Sequence, residues 1–539
     1  MPTTVRDVTY DVLRNLGMNV IFGNPGSSEL PFLKDFPADF RYVLALHERS
    51  AAGMALGCAM AKGTATFVNL HSIASAGNGL SAIIDAYYCH APLVIATGQQ
   101  DRRQILAEPF LVSRAVEVVK PYVKWACEPL RAEDVPAAIA RGYYISMQPP
   151  KGPVFISIPM DDWNRPCQPF AARKVSQTVA PDLAALEETI RALDSSRRPA
   201  IVVGSQIEED GAWNDVVSLA EHLNASVYQE PIAPRWTFPR THRLYCGGLL
   251  PAQGPLAKQL EGHDTVVVIG APVFLYYAYV PGPTIAPGTK LFQITNSAFD
   301  AAAALAGTSV VGNIAAAVQH IRSRVKAVER VAPPPRSKPA DPKPEHPMTA
   351  SYLFSVLNKL LPPDAIIAEE CPSSKGDLDR YIELEQPGSF YSVRSGILGF
   401  GLPLAVGLQM ANPSRRVICP LGDGSAQYSI QTLWTAVQHK VPVILILIRN
   451  NDYSALRGFS DFTQVGSNVP GIEIPGIDTV KIARGYGMEA VDVDRPEDLA
   501  PALAKALAMK APYLISVIVQ KGGQTCMGMD ATVNPPNYG

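Results

Sequence analysis

The stretch RVICPLGDGSAQYSIQTLWTAVQHKVPVILILIRNNDYS, Arg416 to Ser454, decides how the fold is read. An apolar run ends in Gly-Asp-Gly, a helical pattern begins near Ser425, and a second apolar run ends in Arg449, Asn450, Asn451 and Asp452. Continuous apolar runs bounded by Gly, Pro and Asp predict strands of a parallel sheet buried on both faces. The glycines let the backbone approach a ligand, and free amides at a helix start favour phosphate. Asp423 would repel a phosphate unless a divalent cation lay between, and Mg²⁺, which takes oxygen ligands and bridges phosphates, suits that place. Alone, Gly-Asp-Gly reads as a tight turn and Asn-Asn as a strand cap. Gly-Asp-Gly followed by Asn-Asn after 25 residues of helix and buried strand is a more specific pattern.

The same alternation extends outward. NVIFG, RYVLALHE, TATFVNLHS, PLVIATGQQ and PVFISIP read as strands near the N-terminus. PAIVVG, DTVVVIG and KLFQIT follow in the middle, and AIIAEE joins the two opening runs at the end. At roughly 100 to 200 residues per domain, 539 residues make about three domains. The proline-rich, charged VAPPPRSKPADPKPEHP, Val331 to Pro347, predicts an extended connector that packs little, and a softer boundary lies near Arg165 to Pro181. The expected architecture is α/β, three doubly wound parallel-sheet domains in tandem over 1–180, 181–335 and 345–530. In such sheets ligands bind beyond the carboxyl ends of the strands, so the residues that follow each run matter most.

A 47% hydrophobic, 18% charged chain with a net charge of -2 has an ordinary globular composition, and bulk charge suggests neither a nucleic-acid nor a membrane partner. MPTTVRDVTYDVLRNLG shows no basic-then-apolar signal pattern and no apolar run nears the roughly 20 residues of a membrane span, so a cytoplasmic location is expected. Eight scattered cysteines without a CxxC pair argue against a zinc site or disulfide framework. VVGSQIEEDG and VVIGAPVF lack GxGxxG, so no flavin is expected.

The Gly-Asp-Gly and Asn-Asn pattern resembles the diphosphate and metal motif of thiamine diphosphate enzymes. NVIFGNPGSSELPFLKDF, LALHERSAAGMALGCAMA, NLHSIASAGNGLSAI and PLVIATGQQ resemble the pyrimidine-binding domain of the decarboxylase branch. SGILGFGLPLAVG, GDGSAQYSIQTLWTA and YSALRGF resemble its diphosphate domain, and the likeness, nearest to the benzoylformate decarboxylases, runs over nearly the whole chain. The resemblance implies thiamine diphosphate and Mg²⁺ as cofactors. It implies that Glu48 contacts the aminopyrimidine ring, that Ser27 engages the substrate carboxylate, and that His71 assists proton transfer. Taken alone, Glu48 would be a helix cap and His71 a hydrogen-bonded strand end. A carboxyl beside an apolar strand is expected to have a raised pKa. Leu398 matches the residue that props the cofactor in its bent shape, and the Gly396 carbonyl the acceptor for its amino group. Ser373, Gly424, Ser425 and Tyr428 complete the implied cofactor contacts, and Ala455, Leu456 and Phe459 line the implied substrate pocket. In ungapped register Asp423, Asn450 and the Asp452 carbonyl take the metal positions. Asn451 would serve only if a one-residue bulge intervened.

Three positions depart from the family pattern. Tyr277 stands where a second catalytic histidine is usual, and with an ordinary pKa near 10 it is a poor proton shuttle. Ser392 replaces a pocket aromatic and would enlarge the pocket. Arg394 replaces a small residue, and either binds a second anionic group on the substrate or points outward at the surface. The implied activity is non-oxidative decarboxylation of an aromatic or bulky 2-oxo acid to an aldehyde and carbon dioxide. The alternative is a thiamine-dependent carboligase or 2-hydroxyacyl-CoA lyase, favoured by Tyr277, Arg394 and a tail, KGGQTCMGMDATVNPPNYG, that either closes over a site as a lid or is a disordered end. A silent cofactor-binding subunit is disfavoured by Glu48. The family builds its active site between two chains, which implies a homodimer or homotetramer.

Overall fold

The computed structural model describes residues 3–521 except 113, 335 and 467. Among the described residues, eighteen strands form three six-stranded sheets in which every neighbouring pair is parallel. The first holds β1 (Val20–Asn24), β2 (Arg41–Leu44), β3 (Thr66–Leu70), β4 (Leu93–Gln99), β5 (Trp125–Cys127) and β6 (Val154–Pro159) in the order β2-β1-β3-β4-β6-β5. The second holds β7 (Pro199–Val203), β8 (Ser226–Gln229), β9 (Tyr245–Gly248), β10 (Thr265–Ile269), β11 (Lys290–Thr295) and β12 (Thr308–Val311), ordered β12-β11-β10-β7-β8-β9. The third holds β13 (Ile366–Ala368), β14 (Phe390–Tyr391), β15 (Val417–Gly422), β16 (Ile444–Arg449), β17 (Glu489–Val493) and β18 (Tyr513–Ile518), ordered β14-β13-β15-β16-β18-β17.

All eleven strands expected from apolar runs are present. Most of those the runs did not mark are sheet edges or short: Trp125–Cys127 is half-buried, Phe390–Tyr391 spans two residues, and Glu489–Val493 alternates exposed and buried positions. Such strands carry no continuous apolar signal. Counted within each sheet, the first and third share one strand order, and the second has the order 3-2-1-4-5-6. Each order reverses between two central strands, and there the carboxyl ends leave a crevice. In the first sheet that point lies between β1 and β3, ahead of Ser27 and His71; in the third it lies between β13 and β15, ahead of Asp423.

The outer sheets share a core. Helix Glu48–Lys62 packs on helix Gly401–Ala411, and one apolar cluster runs through both, from Phe22 and Leu56 to Leu404 and Leu447. Their approach needs glycine: a Cβ on Gly57 would lie 2.3 Å from the Leu404 carbonyl oxygen, and one on Gly407 2.0 Å from that of Met54. The small-residue run AAGMALG is therefore a helix contact surface.

The connector is extended, as expected, but it packs more than its composition indicates. Arg336 donates to the Asp379 carbonyl, Asp341 pairs with Lys359 at 3.2 Å, and the Ala340 carbonyl accepts from Tyr381. Its charged residues find partners on the third domain, which composition does not reveal. The tail after Lys521, read as either a lid or a disordered end, lies outside the described residues. Among the described residues no helix is long and apolar enough to cross a membrane.

Candidate active site

At the carboxyl end of β15 the chain turns into a short helix, Asp423–Gln427. Both oxygens of the buried Asp423 carboxylate are engaged: Oδ1 accepts the Gly424 amide at 2.9 Å, and Oδ2 accepts those of Asn450 at 3.1 Å and Asn451 at 2.7 Å. Burial pushes its pKa up, against the pull of those amides. β16 delivers the polar cluster. Asn450 is 8% exposed; its Oδ1 accepts the Asp452 amide at 3.0 Å and its amide group donates to the Ser454 hydroxyl at 3.0 Å. Asp452 pairs with Arg457 at 2.6 Å through Oδ2, while its buried Oδ1 has no hydrogen-bond partner. Asn451 has φ +55° and turns the chain away.

These groups form one end of a cavity of about 790 Å³ between the third and middle domains, with Tyr88 of the first domain also lining it. Asp423, Gly424, Ser425, Tyr428, Asn450 and Asp452 line that end, with Ser373, Gly396 and Leu398 alongside. Asn451 is not among the lining residues. Gly396 has φ +75°, which a side chain would strain, so the turn that presents its carbonyl depends on glycine. The Ser373 hydroxyl accepts the Ala455 amide at 2.9 Å, tying the helix Ser454–Phe462 to the cavity floor. Farther out the walls are apolar and aromatic: Ile232, Leu275, Tyr276, Tyr277, Leu456 and Phe459. The Tyr277 and Phe459 rings lie 5.5 Å apart, and Tyr277 is 53% exposed.

Mg²⁺ and a diphosphate fit this end. Asp423, Asn450 and the Asp452 carbonyl are hard oxygen donors, and Asp423 and Asn450 retain unused lone pairs. Only one of the three would ligate through a carboxylate, and among the described residues there is no group of three or more His, Cys, Asp or Glu that could hold a metal ion.

Three of the expected site residues lie elsewhere. Ser27, His71 and Glu48 sit on the first domain, and none of them lines the cavity. Glu48 begins its helix, but His47 is the cap, accepting the Arg49 amide. The Glu48 carboxylate instead accepts from Ser75 at 2.8 Å, Asn24 at 3.1 Å and Asn78 at 3.0 Å. Here the expected raised pKa is overturned. Burial pushes it up, but the donors, Ser75 first among the side chains, together pull it below the usual value. His71 places Nδ1 2.8 Å from the Ser28 hydroxyl and 2.9 Å from the buried Glu29 carboxylate, and the hydrogen bond to Glu29 raises its pKa. Ser27, exposed, opens the turn Ser27–Glu29.

Two of the departures behave differently from expectation. Ser392 does not enlarge the pocket: it is buried, donates to Glu369 at 2.9 Å, and is not among the lining residues. Arg394 is neither at the surface nor free for a substrate anion. Its side chain is 7% exposed and its charge is met by Glu230 at 2.6 Å, although it lines the cavity. Asn24, Glu29, Ser75, Asn78 and Glu230 were not singled out in the sequence. Only proximity to the strand ends, NPGSSE and HSIASAGN, marked most of them.

The family pattern described as the N-terminal TPP binding domain of thiamine pyrophosphate enzymes matches residues 3–114, the central domain 186–321, and the C-terminal TPP binding domain 373–517. Fold and site therefore define the class of thiamine pyrophosphate enzymes. The chain is 42% identical over 523 residues to benzoylformate decarboxylase of Pseudomonas aeruginosa, covering 96% of this chain and 99% of that protein. The solved structure of benzoylformate decarboxylase from Polynucleobacter necessarius superposes with a TM-score of 0.95 at 38% identity, covering 97% of this chain and 99% of that one. That of a 4-hydroxybenzoylformate decarboxylase from Rhodococcus jostii RHA1 superposes at 0.93 with 40% identity, covering 96% and 99%. The chain belongs to the benzoylformate decarboxylase family of thiamine pyrophosphate enzymes.

Proposed function

We propose that the chain decarboxylates an aromatic 2-oxo acid without net oxidation, releasing an aldehyde and carbon dioxide, with thiamine diphosphate and Mg²⁺. The observation that carries this reading is the cavity, whose inner end presents oxygen donors while its outer walls are aromatic and aliphatic. When bound, the cofactor supplies a nucleophilic carbon and an electron sink. Asp423, Asn450 and the Asp452 carbonyl would hold the metal, and Gly424, Ser425, Ser373 and Tyr428 the diphosphate. Leu398 would support the bent cofactor and the Gly396 carbonyl would accept from its amino group.

Glu48, kept ionised by three side-chain donors, would take and return a proton at the pyrimidine nitrogen. Ser27 would donate to the substrate carboxylate. With Nδ1 of His71 engaged, Nε2 is the nitrogen left to deliver a proton to the product carbon. Leu275, Tyr276, Leu456 and Phe459 line an apolar wall that would disfavour a charged carboxylate, which favours its loss as neutral carbon dioxide. Because Ser27, His71 and Glu48 do not line the cavity, a second copy would complete each site, as a homodimer or homotetramer. A cytoplasmic location belongs to the same reading. The carboligase alternative loses one of its supports, since the Arg394 charge is already paired.

The test is carbon dioxide release from a panel of aryl and alkyl 2-oxo acids by protein reconstituted with thiamine diphosphate and Mg²⁺. Turnover of aryl substrates, lost on chelation of the metal and restored by Mg²⁺, is expected. No release from any aryl 2-oxo acid would overturn the reading.

A further inference from the structure

Gly396 and Leu398 lie on the segment Arg394 to Gly401, RSGILGFG, which up to Phe400 belongs to neither a helix nor a strand. Gly396 and Gly399 both have positive φ, so the backbone there has wide conformational freedom unless something external restrains it. The restraint comes from three directions. From the first domain, Arg49 donates through Nη2 to the Leu398 carbonyl at 2.6 Å and through Nε to the Gly399 carbonyl at 3.1 Å. Arg49 also pairs with Asp85 at 3.4 Å, and the other Asp85 oxygen accepts from the Ser395 hydroxyl. From the middle domain, Glu230 holds Arg394 at 2.6 Å. From the third domain itself, Glu370 accepts the amides of Gly399 and, at 2.5 Å, Gly401.

The charged side chains of this network are almost wholly buried: Arg49 is 6% exposed, Asp85 1%, Arg394 7% and Glu230 1%. Buried ion pairs contribute little stability relative to apolar residues of the same volume, so their presence argues for geometry rather than for strength. The geometry is specific. The contacts fall on a run of eight residues: Leu398 is itself anchored through its carbonyl, and Gly396 lies between the anchored Ser395 and Leu398.

We infer that Arg49 and Arg394 are positioning residues that fix the Gly396 carbonyl and Leu398 against the cofactor, acting from the first and middle domains. The inference rests on the proposed roles of Gly396 and Leu398. It also gives Arg394 a task in place of substrate recognition, and places one beside Glu48 in sequence that the catalytic glutamate does not perform.

Two measurements test it on the full chain. In cofactor-free protein, deuterium uptake by the 394–401 peptide reports how firmly the segment is held. In the loaded enzyme without substrate, deuterium exchange at C2 of thiamine diphosphate reports cofactor alignment. Arg49→Met, and the paired change Arg394→Met with Glu230→Gln, should each speed peptide uptake and slow C2 exchange by roughly 10- to 100-fold, the scale of a misplacement near 1 Å. Arg49→Lys, which keeps a donor and the charge, should recover part of both. Ser395→Ala removes one tie and should act in the same direction if the arginine variants fail to fold. Uptake and exchange within about twofold of wild type in these variants would overturn the inference. Leu398→Ala separates the premises: if it slows C2 exchange while the arginine variants do not, the positioning claim alone fails. If it leaves C2 exchange unchanged, the proposed role of Leu398 fails.

Discussion

At the residue scale the site is governed by which lone pairs are already taken. Asn450 and Asn451 are adjacent, chemically identical, and both give backbone amides to Asp423, yet β16 ends so that Asn450 lines the cavity while Asn451, at φ +55°, does not. Asn450→Ala is therefore expected to weaken Mg²⁺-dependent cofactor binding by roughly tenfold or more, measured by a Mg²⁺ titration of intrinsic fluorescence, and Asn451→Ala by far less. His71 offers a pH test. Its pKa is raised above the ordinary 6.5 by the Glu29 hydrogen bond, so the protonated form is favoured in the folded chain. The stabilisation from this pair is full below about 6.5 and is lost as pH rises through the folded value. Glu29→Gln should lower the His71 pKa in a histidine-labelled NMR titration, and should remove that pH-dependent increment from thermal stability. An unchanged titration would show that the carboxylate does not control the imidazole.

At the element scale the helix pair Glu48–Lys62 and Gly401–Ala411 connects the two outer domains. The pair has no room for a methyl group at Gly57 or Gly407, where the backbones meet. Gly407→Ala should destabilise the pair by about 1–3 kcal/mol or more, as overpacking does, and lower the first thermal transition. A transition unchanged from wild type would mean that the helices can move apart without loss. The same pair shows how far elements were legible. Apolar runs marked the central strands because those are buried on both faces, whereas edge strands such as Trp125–Cys127 and Glu489–Val493 share their pattern with loops. AAGMALG was legible as a helix, but its smallness acquires meaning only beside GLPLAVG, some 350 residues away.

At the scale of the whole molecule, the candidate residues other than the buried Ser392 divide into a cavity group on the third and middle domains and a group of three on the first. If the site forms between copies, two inactive variants should complement each other. Mixing Glu48→Gln with Asp423→Ala chains under subunit exchange makes half of the dimers mixed, and each mixed dimer holds one intact site. About one quarter of wild-type carbon dioxide release is expected. No recovery, with exchange verified by mass, would place the whole site within one chain.

By itself the sequence determined the three parallel sheets and the residues at their carboxyl ends, because apolar runs and turn residues act through neighbours a few positions apart. The expected metal register came through ungapped alignment to the family from Gly-Asp-Gly onward, and of the two asparagines it is Asn450 that lines the cavity. Only the tertiary structure decided how those residues are tuned. Glu48 has a lowered pKa because Asn24, Ser75 and Asn78 converge on it from other elements. Arg394, which the sequence left as either a substrate ligand or a surface residue, is buried and paired with Glu230, 164 residues away. Burial and hydrogen bonding between distant segments set charge and orientation, and neither is encoded in any local pattern.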